Sequence, residues 1–118
     1  MEKKTAVLLF ASLASGVRID VYRLLVRQGM DGMVAGEIAT RLALPPTQLS
    51  FHLKALTQAG MLTVTPEGRF LRYRADLALM FELIAYLTAE CCGGQPQQCA
   101  DLCAAAGSSL LTLAKTTE

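Results

Sequence analysis

Apolar residues recur three and four positions apart over most of the chain, which is the spacing of helices with one buried side. This pattern predicts a first helix at residues 3–13 and a second at residues 17–28, for which Ser15 is the expected N-cap. A turn at Asp31-Gly32 leads to a short third helix. Two adjacent prolines end that helix and begin the next, because proline is tolerated in a first helical turn but not in a helix interior. The third helix is predicted at residues 35–42 and the fourth from residue 46 to Gly60. A last long helix, which Asp76 caps, is predicted at residues 77–91.

Between the fourth and the last predicted helices the pattern changes to the alternation of strands. Met61–Thr65 predicts one strand, Pro66–Gly68 a turn, and Arg69–Arg74 a returning strand. The predicted fold class is therefore mainly α with a small β-hairpin, in the order of a winged helix-turn-helix.

The fourth predicted helix has a buried side and a polar side. At about 100° per residue, Leu49, Leu53 and Leu56 share one face, and Gly60 stands where a left-handed C-cap is needed. A helix with small and polar outer residues suits the major groove of DNA. Phe51 on that outer side either meets a thymine methyl group or covers the hairpin. The candidate DNA-binding residues are Thr47, Gln48, Ser50, Phe51, Lys54 and, on the hairpin, Arg69.

The charges of the chain are unevenly placed, although the net charge is only +1. Residues 41–74 carry a net charge of +4, residues 75–118 one of −4, and residues 1–40 one of +1. The basic segment coincides with the fourth helix and the hairpin. We therefore expect a phosphate-binding surface there, and double-stranded DNA as the partner.

The N-terminus allows two interpretations. A basic start followed by the apolar segment Thr5–Ala14 resembles a short secretory signal, and four cysteines would suit an oxidising compartment. The favoured alternative makes this segment the first helix of the domain, in which case a cleavage there would cut a structural connection. No apolar run reaches the eighteen or so residues that a membrane span requires. We expect a cytoplasmic protein with no membrane partner.

All four cysteines lie between residues 91 and 103. This locality excludes a disulfide framework for the whole fold, and a bridge between Cys91 and Cys92 would be strained because neighbouring Cα atoms lie about 3.8 Å apart. Gly, Gln and Pro residues surround them, unlike the neighbours of buried apolar cysteines. We predict a domain at 1–92 and a cysteine-containing tail at 93–118, in which 104–114 forms a weak helix.

The chemistry of these thiols favours a trivalent metalloid over zinc. Structural zinc sites separate paired cysteines by two to four residues and often include histidine, whereas the first pair here is adjacent and His52 is distant in sequence. The predicted helix C-terminus beside Glu90 disfavours the thiolates that a divalent metal needs. Neutral arsenous acid instead condenses with three thiols and releases water, and it requires no organic cofactor. We therefore expect three or all four of these thiols to bind one As(III) or Sb(III).

His52 is also a candidate of its own, as the single histidine of the chain. It falls roughly 60° from the centre of the leucine face of the fourth helix. This position favours a hydrogen-bonded residue that orients the helix over a base contact or a metal ligand.

Several segments together carry a recognisable set of motifs. They are Leu13–Leu25, Glu37–Ala39, Leu49–Leu56 with its Ser-x-His-Leu core, Ala59–Gly60, and Gly68–Arg69 with Tyr73. The combination resembles the ArsR/SmtB family of metal-responsive winged-helix repressors over about residues 8–90. The chain departs from the family pattern at Gly16, where a proline is common, and at Ala35, where a capping side chain is usual.

The resemblance implies an assembly and a mechanism. The first and last helices would form a symmetric homodimer, and the two recognition helices would enter successive major grooves of a palindromic operator. The vicinal cysteines at the end of the last helix resemble those of an arsenite-responsive subset, in which the metalloid releases the operator. The ligands implied by this resemblance are Cys91, Cys92 and Cys99, with Cys103 as a fourth or an alternative third ligand. The implied interface residues are Leu8, Leu9, Leu83 and Leu87.

Three alternatives to a metalloid sensor stay open. The same repressor could be switched by thiol oxidation or persulfidation, or by Zn(II) or Cd(II). A thiol enzyme or metallochaperone is less favoured, because no histidine near the cysteines could act as a base. We expect a protein that is not an enzyme.

Overall fold

The structure, a computed structural model, describes residues 1–106. It is mainly helical with a small three-stranded antiparallel sheet, in the arrangement of a winged helix-turn-helix. The chain divides into two compact units, Met1–Ile84 and a second that begins at Ala85. The boundary predicted after residue 92 therefore falls inside the second unit. The elements are α1 (Lys3–Leu13), α2 (Gly16–Gln28), a 3₁₀ turn (Gly29–Asp31), β1 (Met33–Val34), α3 (Ala35–Leu42), α4 (Pro46–Ala59), β2 (Leu62–Glu67), β3 (Phe70–Ala75), α5 (Leu77–Leu87), a 3₁₀ turn (Cys91–Gly94) and α6 (Pro96–Ala106).

The helix ends are set by the local signals that the sequence carries. The Ser15 hydroxyl accepts a hydrogen bond from the Arg18 amide at 3.4 Å and caps α2. The Asp76 carboxylate accepts one from the Leu79 amide at 3.0 Å and caps α5. Gly60 adopts a φ of +93° at the end of α4, a left-handed conformation that glycine takes without steric strain. These three predictions are confirmed.

The sheet differs from the predicted hairpin in two respects. A short strand, β1, pairs with β3 and gives the order β1-β3-β2. The predicted turn at Pro66–Gly68 is also wrong, because β2 continues to Glu67, whose partner on β3 is Phe70. Only Gly68 and Arg69 connect the strands. Pro66 is accommodated because β2 is an edge strand, where a missing amide donor leaves no ladder bond unmade.

The core of the first unit is built around α4. Leu49, Leu53 and Leu56 are each no more than 1% exposed, as their shared helical face predicts. They join a continuous apolar cluster with residues of α1, α2, α3, β1 and the connection to β2, among them Leu9, Val21, Leu25, Ile38, Met33 and Met61. Fixing α4 from its buried side leaves its opposite side free to carry function.

The N-terminal segment forms α1 and contributes to this core. Ala6, Leu9 and Ser12 are buried, and the Ser12 hydroxyl donates to the Leu9 carbonyl at 2.7 Å. Within residues 1–106, no helix alone is long and apolar enough to span a membrane; α1 and the helical segment after it meet that test only as a pair bent by 99°.

Two predictions about the C-terminal part of the chain are wrong. The last long helix ends at Leu87 rather than near residue 91, and Glu90 and Cys92 adopt left-handed backbone conformations with φ near +56° and +57°. The residues before 104, for which no helix was predicted, instead form most of α6, which starts at Pro96, a residue suited to a first helical turn. The weak helix expected at 104–114 overlaps the end of α6, and its remainder lies outside the described residues.

Candidate nucleic-acid interface and thiol cluster

The outer side of α4 carries most of the candidate DNA-binding residues. Because the leucine face is buried, the opposite face is presented to solvent, and Phe51 is 65% exposed. The helix-turn-helix is completed by α3, whose last turn ends at Ala43 with a left-handed φ of +53°. The structure thus leaves one helix exposed along a polar side, and all five candidate residues of that helix are exposed: Thr47, Gln48, Ser50, Phe51 and Lys54.

The arginines of the hairpin divide into two kinds. Arg72 forms an ion pair with Glu67 at 2.8 Å and donates to the Asp31 carbonyl at 3.1 Å. The hydrogen bond to Glu67 raises the pKa of Arg72 above its ordinary value. Arg74 donates to the Met30 carbonyl at 2.7 Å. These two side chains connect the hairpin to the 3₁₀ turn at Gly29–Asp31. Part of the positive charge of residues 41–74 therefore stabilises the fold.

Arg69 differs from those two arginines. It lies in the two-residue turn of the hairpin and is exposed, and within residues 1–106 its side chain has no hydrogen bond or ion pair. Its guanidinium is therefore available to a phosphate, as is the exposed ammonium group of Lys54 on α4.

Arg18 is a residue of this region that sequence reasoning missed. Its Nε donates to Nδ1 of His52 on α4 at 3.0 Å, and its guanidinium carbon lies 5.6 Å from the centre of the Phe51 ring. His52 is hence a hydrogen-bonded flank residue, as predicted. Phe51 makes an edge contact with His52, with ring centres 5.5 Å apart. No local pattern could have revealed Arg18, because its partner on α4 lies 34 residues away.

The four leucines expected at a dimer interface fall into two groups. Leu9 and Leu83 are 1% and 2% exposed within a single chain, so the structure corrects their assignment: they are core residues that no partner can reach. Leu8 and Leu87 are 58% and 57% exposed. On α1, Val7 is 59% exposed as well.

The thiol cluster of the second unit centres on Cys91. Its Sγ lies 3.3 Å from Sγ of Cys99 on α6, whose helix brings the tail back toward the 3₁₀ turn. Cys103 follows Cys99 by four residues on α6, so the two occupy the same side of that helix. Within residues 1–106, no three or more His, Cys, Asp or Glu side chains are arranged as a metal site.

The protonation of the thiols follows from their neighbours. The hydrogen bond with Cys99 is the main cause that raises the pKa of Cys91, and desolvation, followed by the charge of Cys91, raises that of Cys92. The pKa values of Cys91 and Cys92 are thus raised, as expected, and both groups are neutral thiols at neutral pH. The cause expected from the sequence, a helix C-terminus at these residues, is wrong because α5 ends four residues earlier.

Comparisons with known proteins agree with the fold. Residues 13–65 match the family model of a helix-turn-helix domain. HlyU from Vibrio cholerae is 28% identical, with a TM-score of 0.59 over 74% of this chain and 97% of that one. An ArsR-like transcriptional regulator from Rhodococcus sp. RHA1 is 26% identical, with a TM-score of 0.65 over 89% of this chain and 95% of that one.

A third structure is the homodimeric winged helix-turn-helix DNA-binding domain of a possible ArsR-family regulator from Mycobacterium bovis. It is 29% identical, with a TM-score of 0.59 over 74% of this chain and 81% of that one. The comparison with curated protein sequences gave no match. The fold and the domain match define a winged helix-turn-helix protein. The chain is thus similar to known transcriptional regulators, of which one is described as ArsR-like and another as possibly of the ArsR family.

Proposed function

We propose that this chain is a repressor that binds a palindromic operator as a homodimer and is released when As(III) or Sb(III) binds its cysteine thiols. The observation that carries the DNA-binding half is the exposed polar side of α4, held in place by three buried leucines. The observation that carries the sensing half is the 3.3 Å contact between the thiols of Cys91 and Cys99.

DNA binding is supported by free cations next to the exposed helix. Lys54 lies on the outer side of α4 and Arg69 at the tip of the hairpin, and both are exposed without an internal partner among the described residues. Phosphate contacts from such residues fix the register of a helix in the groove, and the polar residues of its first half then contact base edges.

The salt dependence of operator binding is the first prediction. If each subunit contacts about three phosphates, a plot of the logarithm of the binding constant against that of the salt concentration should have a slope of about −5. Arg69→Ala should make the slope shallower by about 2, because the dimer loses two phosphate contacts. Fluorescence anisotropy at several salt concentrations measures this slope. Arg27→Ala, which removes an exposed arginine of α2, is the control and should change the slope little. A wild-type slope near zero would contradict operator binding.

Homodimer formation is supported by the exposed apolar residues of α1. Val7 and Leu8 are each more than half exposed, and a second copy of the chain would remove them from water. The M. bovis domain, 29% identical, is homodimeric.

A second prediction therefore concerns assembly. Leu8→Glu should give a folded monomer that binds operator weakly, because a charge buried at the interface without a partner is unfavourable. Ile19→Glu is the matched control: Ile19 is an aliphatic residue of α2 that is 45% exposed, and the variant should stay dimeric. Sedimentation velocity and circular dichroism report assembly and folding. Dimers of unchanged stability in Leu8→Glu would remove α1 from the interface.

Metalloid sensing is supported by the protonated state of the thiols. Arsenous acid, As(OH)₃, exchanges its three hydroxyl groups for three thiolate sulfurs, and each exchange takes the thiol proton into a water molecule. The raised pKa values of Cys91 and Cys92 do not oppose this reaction, whereas a divalent cation would have to displace the protons. Cys91 and Cys99 supply two sulfurs, and Cys92 or Cys103 supplies the third. The donor set of soft sulfurs without histidine fits a trivalent metalloid.

The experiment that tests this function is a titration of the operator-bound protein. As(III) and Sb(III) should dissociate the complex at lower concentrations than Zn(II) or Cd(II), as followed by anisotropy of a labelled operator. Release by Zn(II) or Cd(II) alone would contradict the metalloid assignment.

The Cys91–Cys99 contact also favours a second candidate, a redox switch. Two thiols at 3.3 Å need only a small movement to form a disulfide, whose S–S bond is about 2.05 Å. The pair would give up two electrons and two protons to an oxidant such as hydrogen peroxide, which is reduced to water. Operator release by peroxide, reversed by a dithiol reductant and without a response to As(III), would favour this candidate.

A further inference from the structure

Arg18 connects three helices through a single guanidinium group. Besides donating to His52 on α4, its Nη1 donates to the Ser12 carbonyl near the end of α1 at 3.4 Å. Its own backbone amide is part of the α2 cap on Ser15. The side chain thus joins the end of α1 and the first turn of α2 to the middle of α4.

The contacts of Arg18 lie beside the exposed side of α4, so they affect the orientation of that side as well as the packing of the helix. His52 flanks the exposed side of the helix, and Phe51, which is 65% exposed, belongs to that side. The Arg18 guanidinium lies near the Phe51 ring, and the ring meets His52 edge-on. Arginine suits such a site, because its rigid planar fork can donate in two directions while facing an aromatic ring. The leucine face determines which side of α4 is buried, and these directional contacts further constrain the rotation of the helix and the rotamers of its outer residues.

We propose that Arg18 is a positioning residue for DNA recognition. Through His52 and Phe51 it holds the outer side of α4 in one orientation, so that the polar residues of that side meet bases in a fixed register. This inference rests on the proposed function, since it assumes that α4 is the helix that enters the groove. Arg18 itself is not required to touch DNA.

The hydrogen bond between Arg18 and His52 can be observed by NMR spectroscopy, because His52 is the only histidine of the chain. Nδ1 accepts from Arg18, so the neutral imidazole must carry its proton on Nε2. The ¹⁵N spectrum of the ring at alkaline pH should show this single tautomer in the wild type and a mixture in Arg18→Ala. The measurement needs no DNA and tests the contact independently of the proposed function.

The functional test compares affinity for operator with affinity for unrelated duplex. The operator is the sequence that the wild-type dimer selects from a randomised pool. Arg18→Ala and His52→Ala should each weaken operator binding about tenfold or more, the effect expected from losing a hydrogen bond to a charged group. Binding to unrelated duplex should change much less. The double variant should be about as weak as Arg18→Ala, because the hydrogen bond that His52→Ala removes is already absent in that variant.

Conservative variants separate positioning from general stability. His52→Asn should keep most of the operator affinity, since its amide oxygen can accept where Nδ1 does, and Arg18→Lys should not, since lysine lacks the fork. Arg23→Ala removes an exposed cation from the same helix and should leave the ratio of the two affinities unchanged. All variants are compared at a temperature where circular dichroism shows them folded.

The possible outcomes are distinct. A wild-type protein without preference for any duplex would overturn the proposed function and this inference with it. A wild type that prefers its operator, together with Arg18→Ala of unchanged preference, would overturn the inference alone. Additive losses in the double variant, or a loss in His52→Asn equal to that in His52→Ala, would also overturn it.

Discussion

Gly32→Ala is expected to lower the free energy of unfolding of the first unit by about 2–5 kcal/mol, the combined effect of a strained backbone and an overpacked contact. Gly32 has a φ of +60° and a ψ of −163°, a backbone conformation that is nearly confined to glycine because a Cβ atom strains it. A Cβ there would clash with the carbonyl oxygen of Tyr73 and lie 2.7 Å from Cγ of Arg74. Neither neighbour can easily move, because Tyr73 pairs with Met33 between β3 and β1 and Arg74 is bonded to the Met30 carbonyl.

Gly29→Ala provides a matched control for this substitution. Gly29 has nearly the same φ, +62°, but a Cβ there would meet no heavy atom within 4 Å. It should therefore lose only the conformational part, about 1–2 kcal/mol. Urea denaturation followed by circular dichroism measures both variants. Equal losses in the two would show that the approach of β3 to Gly32 contributes nothing to stability.

The parts of the fold that the sequence predicted are those that depend on local chemistry. Ser15, Gly60 and Asp76 end or begin helices through contacts within a few residues, so their roles can be read without knowing the tertiary structure. The leucine spacing of α4 likewise defines a buried side wherever the helix packs. The outer residues of α4 follow as its complement, which is why the candidate DNA-binding face was predictable.

The parts that were not predicted depend on contacts between distant segments. The two residues of β1 form a strand only because β3 lies beside them, and their own sequence is too short to indicate it. Leu9 and Leu83 look like Leu8 and Leu87 in a periodic pattern, and only the packed structure separates core from surface. The last long helix ends at Leu87, and Glu90 and Cys92 beyond it adopt left-handed conformations that neither residue type favours.

The role of each basic residue also depends on contacts between distant segments. The net charge of +4 over residues 41–74 indicated a phosphate-binding surface. The structure uses Arg72 and Arg74 of that segment to fasten the hairpin to the loop before β1. Lys54 and Arg69 remain free of such contacts among the described residues, so summed charge overstates the number of cations that can meet DNA.

The thiol variants have the largest expected effect on regulation. Cys91→Ser and Cys99→Ser should bind operator as the wild type does but fail to release it at As(III) concentrations that fully release the wild type. The physical reason is that each removes one member of the thiol pair at 3.3 Å, and a hydroxyl group does not replace a sulfur ligand of arsenic. Affinity should be spared because these residues belong to the second unit, outside the helix-turn-helix. Anisotropy of a labelled operator measures both quantities in one titration.

Cys92→Ser and Cys103→Ser then identify the third ligand and separate the two proposed switches. A three-thiol arsenic site that includes Cys92 predicts loss of release in Cys92→Ser and a small effect in Cys103→Ser, and a site completed by Cys103 predicts the reverse. A disulfide switch requires Cys91 and Cys99 alone. In that case Cys92→Ser and Cys103→Ser would still respond to peroxide, and neither the wild type nor any variant would respond to As(III).

A double variant tests the sensor as a whole. If As(III) dissociates Cys91→Ser/Cys92→Ser from the operator at the wild-type concentration, neither Cys91 nor Cys92 belongs to the sensor. Because Cys99 and Cys103 would then be the only thiols left, a three-thiol site would be impossible within one chain.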